Sequence, residues 1–330
     1  MTIRAVSTPN IALIKYWGNR DDALRLPAAD SLSITLDTPT VEVAITEAER
    51  FTVKSFSGEL ERSLSGDELA RLKKHFVDAK EYLSRIGKGG ALPTAVSLKI
   101  KSSVPRGIGI ASSAAIFSAL AEVYAGLASG MSRKDVSIMA RLGSGSASRS
   151  VFGGFVAMIS GEGEGVDASY AVQIALPEHW KLWDIIIAPS IAPKHTGSTE
   201  GHALVHTSPA FQDRLREMPH RQKECIEAIR GRDFEKLRVV SEEDCIDMHK
   251  VMMSSTPSLN YLSEETHRII GEITDLRSRQ GLAVLYTMDA GPTVHLICEQ
   301  SALPAVREYA RAQKNCTIFE AGIGSGSRLI

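Results

Sequence analysis

The stretch Pro105 to Ala115, PRGIGIASSAA, limits what this chain can fold into more than any other segment. It joins a β-like run, Thr94 to Ser102, to a helical one whose Ile116, Phe117, Leu120, Val123, Tyr124 and Leu127 fall on one face and predict packing on a sheet. Gly107 and Gly109 remove side chains where the backbone must bend or approach a ligand, and Ala111, Ser112 and Ser113 open the helix with small residues. A first helical turn has free N–H groups and the positive end of the helix dipole. A phosphate seated between Pro105 and Ser113 therefore gains hydrogen bonds without needing a lysine. A small strand-to-helix turn has the same composition, so the surrounding segments must decide between the two.

Those segments predict two lobes. At 330 residues the chain exceeds the size at which one core keeps growing. Strand patterns over Ile3–Thr8, Ser31–Leu36, Val41–Thr46 and Phe51–Phe56 precede a helix from Asp67 in which Leu69, Leu72, Phe76, Leu83 and Ile86 recur at helical spacing. Ser132 and Asp135 are spaced as a capping box for another helix. An apolar strand beginning at Leu182 marks the boundary, giving lobes 1–181 and 182–330. In the second lobe, helices between about His202 and Arg279 lead to a strand, a turn at Asp289 and a second strand, then a helix over Ala302–Ala312 and a strand from Cys316. The final GIGSGSRLI reads as a mobile tail. The fold class is α+β.

Composition excludes several functions. With 38 basic and 39 acidic side chains the net charge is −1, leaving no broad basic surface for nucleic acid or an anionic membrane. The four cysteines, Cys225, Cys245, Cys298 and Cys316, form no Cys-x-x-Cys pair. No apolar run reaches 18 residues and MTIRAVSTPN lacks the features of a signal peptide, so a cytoplasmic protein is expected. His202 and His206 stand four apart, but HALVH lacks the glutamate of a zinc-hydrolase helix and reads as surface helix. Gly-x-x-x-x-Gly-Lys and Gly-x-Gly-x-x-Gly loops are both absent, so phosphate binding has to use a different loop.

A second small-residue stretch, GSGSASRS from Gly143 to Ser150, is polar where the first is apolar. Ser144, Ser146 and Arg149 can present two hydroxyls and a guanidinium to an anion, although a Gly/Ser turn capped by arginine has the same composition.

Taken in order, TPNIALIKYWGNRD, PRGIGIASSAA, RLGSGSASRSVFGGF, HTGSTEG and TMDAGPTV resemble the GHMP kinase superfamily and, within it, the diphosphomevalonate and phosphomevalonate decarboxylases, over nearly the whole chain. The resemblance implies a two-lobed GHMP kinase fold with an active-site cleft between the lobes. It also implies ATP with Mg2+ on the loop formed by Pro105, Gly107, Gly109, Ala111, Ser112 and Ser113. The γ-phosphoryl passes to the 3-hydroxyl of a phosphorylated mevalonate, and phosphate then leaves as the neighbouring carboxylate is lost as CO2. By the same resemblance Asp289 orients that hydroxyl or takes its proton, Lys15 neutralises charge beside it, and Arg149 holds the substrate carboxylate. Tyr16, Ser144 and Ser146 bind the phosphate end or the hydroxyl, and Ser198 approaches the phosphates from the other side of the cleft. No metal-ligating residue is assigned, and a homodimer is possible.

One departure bears on the substrate. Where these decarboxylases typically read KYWGKRD, this chain reads KYWGNRD, placing Asn19 at a lysine that lies toward the 5-diphosphate. Loss of one charge-assisted contact costs about 1.5–3 kcal/mol, which favours a less charged substrate end. Thr199, at a position where some bacterial members carry arginine, points the same way. The sequence reading is therefore mevalonate 5-phosphate as substrate and isopentenyl phosphate as product. The alternative is mevalonate 5-diphosphate, with Lys194 or Arg20 making good the lost charge. A 3-kinase that does not decarboxylate and a nucleotide sensor without turnover are the remaining alternatives.

Overall fold

The computed structural model describes residues 2–103, 112–189 and 198–330, without the side chains of Ser112, Ser198 and Thr199. Its first half contains β1 (Thr2–Ser7), β2 (Asn10–Ile14), β3 (Asn19–Asp21), β4 (Leu26–Pro27), β5 (Ser31–Thr35), β6 (Val41–Glu47), β7 (Thr52–Ser57), β8 (Leu60–Arg62), α1 (Gly66–Arg85) and β9 (Val96–Ser102). Then come α2 (Ser112–Ala128), α3 (Arg133–Gly143), α4 (Ala147–Ser150), β10 (Phe155–Ile159) and β11 (Tyr170–Ala175). The remainder is β12 (Leu182–Pro189), α5 (Ser198–Ala203), α6 (Phe211–Gly231), α7 (Phe234–Ser254), α8 (Glu264–Gln280), β13 (Val284–Thr287), β14 (Val294–Glu299), α9 (Leu303–Arg311), β15 (Cys316–Ala321) and β16 (Arg328–Leu329).

Alternation builds the first sheet, ordered β16-β1-β6-β9-β7-β8. Val41, Val43 and Ile45 of β6 and Val96, Leu98 and Ile100 of β9 are buried, while the residues between them are more exposed. Helix α2 packs directly on β1 and β6 of that face, and α1 and α3 join the same apolar cluster around it. Ser65 caps α1 and Ser132 caps α3, each in a reciprocal capping box, with Glu68 and Asp135 respectively. Helix α2 differs from a one-faced helix: Ala114, Ala115, Ala119 and Ala121 are buried along with Phe117, Leu120, Val123 and Tyr124. Its small residues let β1, β6, α3 and α4 all pack closely around it.

A second sheet, β11-β10-β5-β2, and a third, β13-β14-β12-β15, are joined by one apolar cluster. Ile11, Leu13 and Leu32 meet Ile186, Met218, Leu237 and Leu285 there. Every residue of β2 is buried. This strand delivers the TPNIALIKYWG motif to the contact between the two halves of the molecule.

The C-terminal segment is not a mobile tail. Gly324 N–H donates to Thr35 O (2.8 Å) and Ser327 N–H to Ser150 O (2.9 Å), β16 pairs with β1, and the Ser327 hydroxyl donates to buried Glu122 on α2 (2.6 Å). Backbone hydrogen bonds do most of this work, which is why a polar, glycine-rich sequence gave no sign of it.

His75 on α1 is buried, with Nε2–H donating to Met139 O (2.8 Å) and the ring against the edge of Phe117. Burial pushes its pKa down to about 4, against the opposing effect of that hydrogen bond. Because the folded value lies below the unfolded one, unfolding takes up a proton between about pH 6.5 and 4, and stability falls as pH drops through that window. His75→Gln is expected to remove about 1 kcal/mol of the difference in urea-unfolding free energy between pH 7 and pH 5.5. An unchanged pH slope in the variant would count against this account.

Candidate active site

The TPNIALIKYWG motif leaves β2 through an irregularity: Ala12 pairs with Ser33 and Ile14 with Leu32, so Leu13 is the extra residue of a bulge. The chain beyond turns toward the third sheet. Lys15 is 2% exposed and its Nζ donates to Asp289 Oδ1 (2.8 Å). The peptide on either side of Lys15 is clamped as well. Its N–H donates to Asp244 Oδ2 (2.6 Å) and its carbonyl accepts from Arg214 (3.2 Å).

Asp289 lies between β13 and β14 in the turn that DAGP predicts, with Gly291 N–H donating back to its carbonyl (2.7 Å). The preceding residue is braced from α7: Met288 N–H donates to Cys245 Sγ (3.2 Å), and the thiol donates to Met288 O (3.4 Å). The Asp289 side chain remains 48% exposed. Burial acts to raise its carboxyl, but the charge and hydrogen bond of Lys15, helped by His295 and Arg149, hold it below the ordinary aspartate value. It is ionised at neutral pH.

Arg149 comes from the short helix α4 and is 2% exposed. It donates to Ser31 Oγ (2.6 Å) and Asn10 Oδ1 (3.2 Å), while its Nε is buried without a partner among the described residues. Burial pushes its pKa down to about 10, opposed by Asp289 and Tyr16. A buried guanidinium with no carboxylate partner among the described residues and one orphaned donor is suited to an incoming anion. Ser113 Oγ lies 3.3 Å from Ser144 Oγ, and Ser144 Oγ lies 3.5 Å from Ser146 Oγ, so the start of α2 and the GSGSASRS stretch form one wall. Gly145 is required beneath Tyr16, since a Cβ there would overlap the phenol ring. Burial raises the Tyr16 hydroxyl to about 12, keeping it a neutral donor.

Asn19 is placed beside Tyr16, but its amide is already engaged. The Tyr16 hydroxyl donates to Asn19 Oδ1, and Asn19 Nδ2 donates to Asp22 (2.8 Å). Lys15, Tyr16, Asn19, Ser113, Ser144, Ser146, Arg149 and Asp289 thus come together. Pro105, Gly107, Gly109, Ala111 and Lys194 lie outside the described residues, as do the side chains of Ser112, Ser198 and Thr199.

Several participants have no sequence signal of their own. Asp244 and Arg214 sit in amphipathic helices, and Asn10 and Ser31 are ordinary strand residues. His202, expected on a surface helix, is half-buried instead: Gly18 N–H donates to its Nδ1 (2.9 Å) and its ring stacks near Tyr16 and Trp17, at 4.4 and 4.5 Å between centroids. Burial holds it neutral, with a pKa of about 3. Among the described residues no three His, Cys, Asp or Glu side chains converge on a metal position, and no helix is long and apolar enough to cross a membrane.

Two family models match the chain: the diphosphomevalonate decarboxylase-like N-terminal domain over residues 7–171 and the mevalonate 5-diphosphate decarboxylase C-terminal domain over 185–319. Diphosphomevalonate decarboxylase of Debaryomyces hansenii is 35% identical over 318 residues, covering 91% of this chain and 80% of its own length. The Homo sapiens protein of that name is 34% identical over 294 residues, covering 86% and 73%. Mevalonate diphosphate decarboxylase of Staphylococcus aureus superposes with a TM-score of 0.88 at 30% identity, over 100% of this chain and 98% of that one. A structure described as MDDEF in complex with MVAPP, AMPPCP and magnesium gives a TM-score of 0.89 at 27% identity, over 100% and 99%.

Proposed function

The chain belongs to the diphosphomevalonate decarboxylase family, and from that premise we propose that it converts mevalonate 5-diphosphate and ATP to isopentenyl diphosphate, ADP, phosphate and CO2. The relatives' names and the MVAPP complex support the diphosphate substrate, the alternative of the sequence reading, more than the monophosphate inferred from Asn19.

One observation supports the chemistry above the others: the Lys15–Asp289 ion pair stands within electrostatic reach of the Arg149 guanidinium, whose Nε has no partner among the described residues. In this reading the substrate carboxylate docks on Arg149 and its 3-hydroxyl faces Asp289. Asp289, kept ionised by Lys15, orients the hydroxyl and accepts its proton as the oxygen attacks the γ-phosphoryl, and the bond from the γ-phosphorus to the β–γ bridging oxygen breaks to release ADP. The C3–O bond of the phosphorylated intermediate then breaks with phosphate leaving. The C1–C2 bonding pair becomes the C2=C3 double bond and C1 departs as CO2. Arg149 holds the carboxylate in place until that bond breaks, and buried Lys15 balances charge on the leaving phosphate.

ATP is supported by the family and by the AMPPCP and magnesium present in the related structure, with Ser113 at the triphosphate wall. Among the described residues the Asp289 carboxylate beside Lys15 is an oxygen donor of the kind that would suit a magnesium ion bound with the phosphates. When bound, such an ion neutralises phosphate charge.

Purified protein given ATP, magnesium and mevalonate 5-diphosphate is expected to release ADP and CO2 in equal amounts, with kcat/KM at least tenfold above that for mevalonate 5-phosphate. ADP without CO2 would reassign the chain as a kinase. Equal or better use of the monophosphate would restore the reading based on Asn19.

A further inference from the structure

The hairpin that starts with Asn19 returns with a cation. Strands β3 and β4 pair Asp21 with Leu26, and Arg25 stands at the end of the connecting turn in the left-handed region, φ +50°. That backbone is strained for a residue with a Cβ, which gives this position a cost that any ordinary turn residue there would share. The side chain reaches back across the site wall and its Nε–H donates to Leu142 O (3.1 Å).

Arg71 arrives at the next carbonyl from α1. Its Nε and a terminal nitrogen donate to Gly143 O (3.2 and 2.8 Å), and its guanidinium lies over the Phe117 ring, 4.7 Å from the centroid. Two half-buried guanidiniums are therefore held on consecutive carbonyls immediately before Ser144. Neither has a carboxylate partner among the described residues. Burial, with the neighbouring charge of Arg25, pushes Arg71 down to about 10, and Arg25 is the leading charge acting on Tyr16. Adjacent like charges are unfavourable until an anion joins them.

We propose that Arg25 is a specificity-determining residue for the terminal phosphate of the substrate and supplies from the far end of the β3–β4 hairpin the charge that Asn19 lacks. This rests on the phosphorylated-mevalonate reading above and makes Arg25 a determinant of how much negative charge the substrate end carries. Asn19, its amide engaged by Tyr16 and Asp22, is then a structural member of the hairpin and not a phosphate ligand.

The test compares wild type, Arg25→Gln, Arg25→Lys and the double variant Asn19→Lys/Arg25→Gln. Arg25→Gln is expected to raise KM for mevalonate 5-diphosphate ten- to a hundredfold with kcat within threefold, and KM for the monophosphate less than threefold. Arg25→Lys should keep KM within fivefold, and the double variant should recover most of the loss, because lysine at 19 restores a cation to the same wall. Inorganic pyrophosphate, as a competitive inhibitor against whichever substrate is turned over, is expected to weaken tenfold or more in Arg25→Gln. That loss would uphold the subsite even if wild type uses only the monophosphate and the substrate reading fails. Unchanged KM and pyrophosphate inhibition in Arg25→Gln, or an effect confined to kcat, overturns the proposal.

Discussion

Asp289→Asn is expected to lower kcat by about 10²–10⁴-fold while leaving KM for ATP within a fewfold. The substitution is nearly isosteric, so the turn between β13 and β14, held by the Gly291 N–H bond and by Cys245 against Met288, should survive it. What it removes is the charge. Lys15 is buried and Asp289 is the one carboxylate its ammonium meets among the described residues, so the variant leaves a cation facing a neutral amide where the proposed mechanism places the 3-hydroxyl. The pH dependence follows from the same pair. Because burial is outweighed by Lys15 together with His295 and Arg149, which hold the Asp289 carboxyl below its ordinary value, the ionised form is present at every pH above about 4 and is lost only as pH falls through the depressed value. Wild-type kcat should therefore show no Asp289 limb between pH 5 and 8. Single-turnover measurement of ADP formation gives the chemical step directly. A variant within tenfold of wild type would remove Asp289 from the reaction.

How far such a site is legible in sequence depends on whether its contacts are local. The Ser132–Asp135 capping box, the alternating strand β6 and the one-faced helix α1 could all be read because each is fixed by residues a few positions apart. Lys15, Arg149 and Asp289 stand out only through motifs, and nothing in composition or spacing shows that residues 274 positions apart form an ion pair. The C-terminal segment was misread for a related reason: its anchoring lies in backbone hydrogen bonds to Thr35 and Ser150, which leave no mark on side-chain chemistry. Asn19 shows a further limit. A missing lysine can be seen in the sequence, whereas a cation returning six residues later on the same hairpin becomes visible only once the turn places Arg25 on the Leu142 carbonyl.

Asp244→Ala is expected to cost about 3–5 kcal/mol of stability, since it leaves a buried arginine without its main partner. Asp244 is fully buried on α7 and meets Arg214 (3.0 Å) and Arg221 (3.4 Å), with Asp247 completing a two-plus-two charge network. Burial opposes the Arg214 charge, and Asp244 and Asp247 together more than offset it, Asp244 acting the more strongly. Removing Asp244 therefore unbalances the network at its least accessible point. The same oxygen that serves Arg214 also accepts the Lys15 N–H, so the variant loses the anchor that aims the Lys15 ammonium at Asp289. In protein that still folds, kcat should drop roughly 10–100-fold through misplacement of Lys15, with KM for ATP little changed. Asp247→Asn is the control: it lies at the more exposed end, leaves the Lys15 contact intact, and should cost about 1 kcal/mol with kcat within threefold. Urea unfolding and kcat measured on both variants separate the two effects. Equal losses in both, or wild-type kcat in folded Asp244→Ala, would show that the network supports the fold without positioning Lys15.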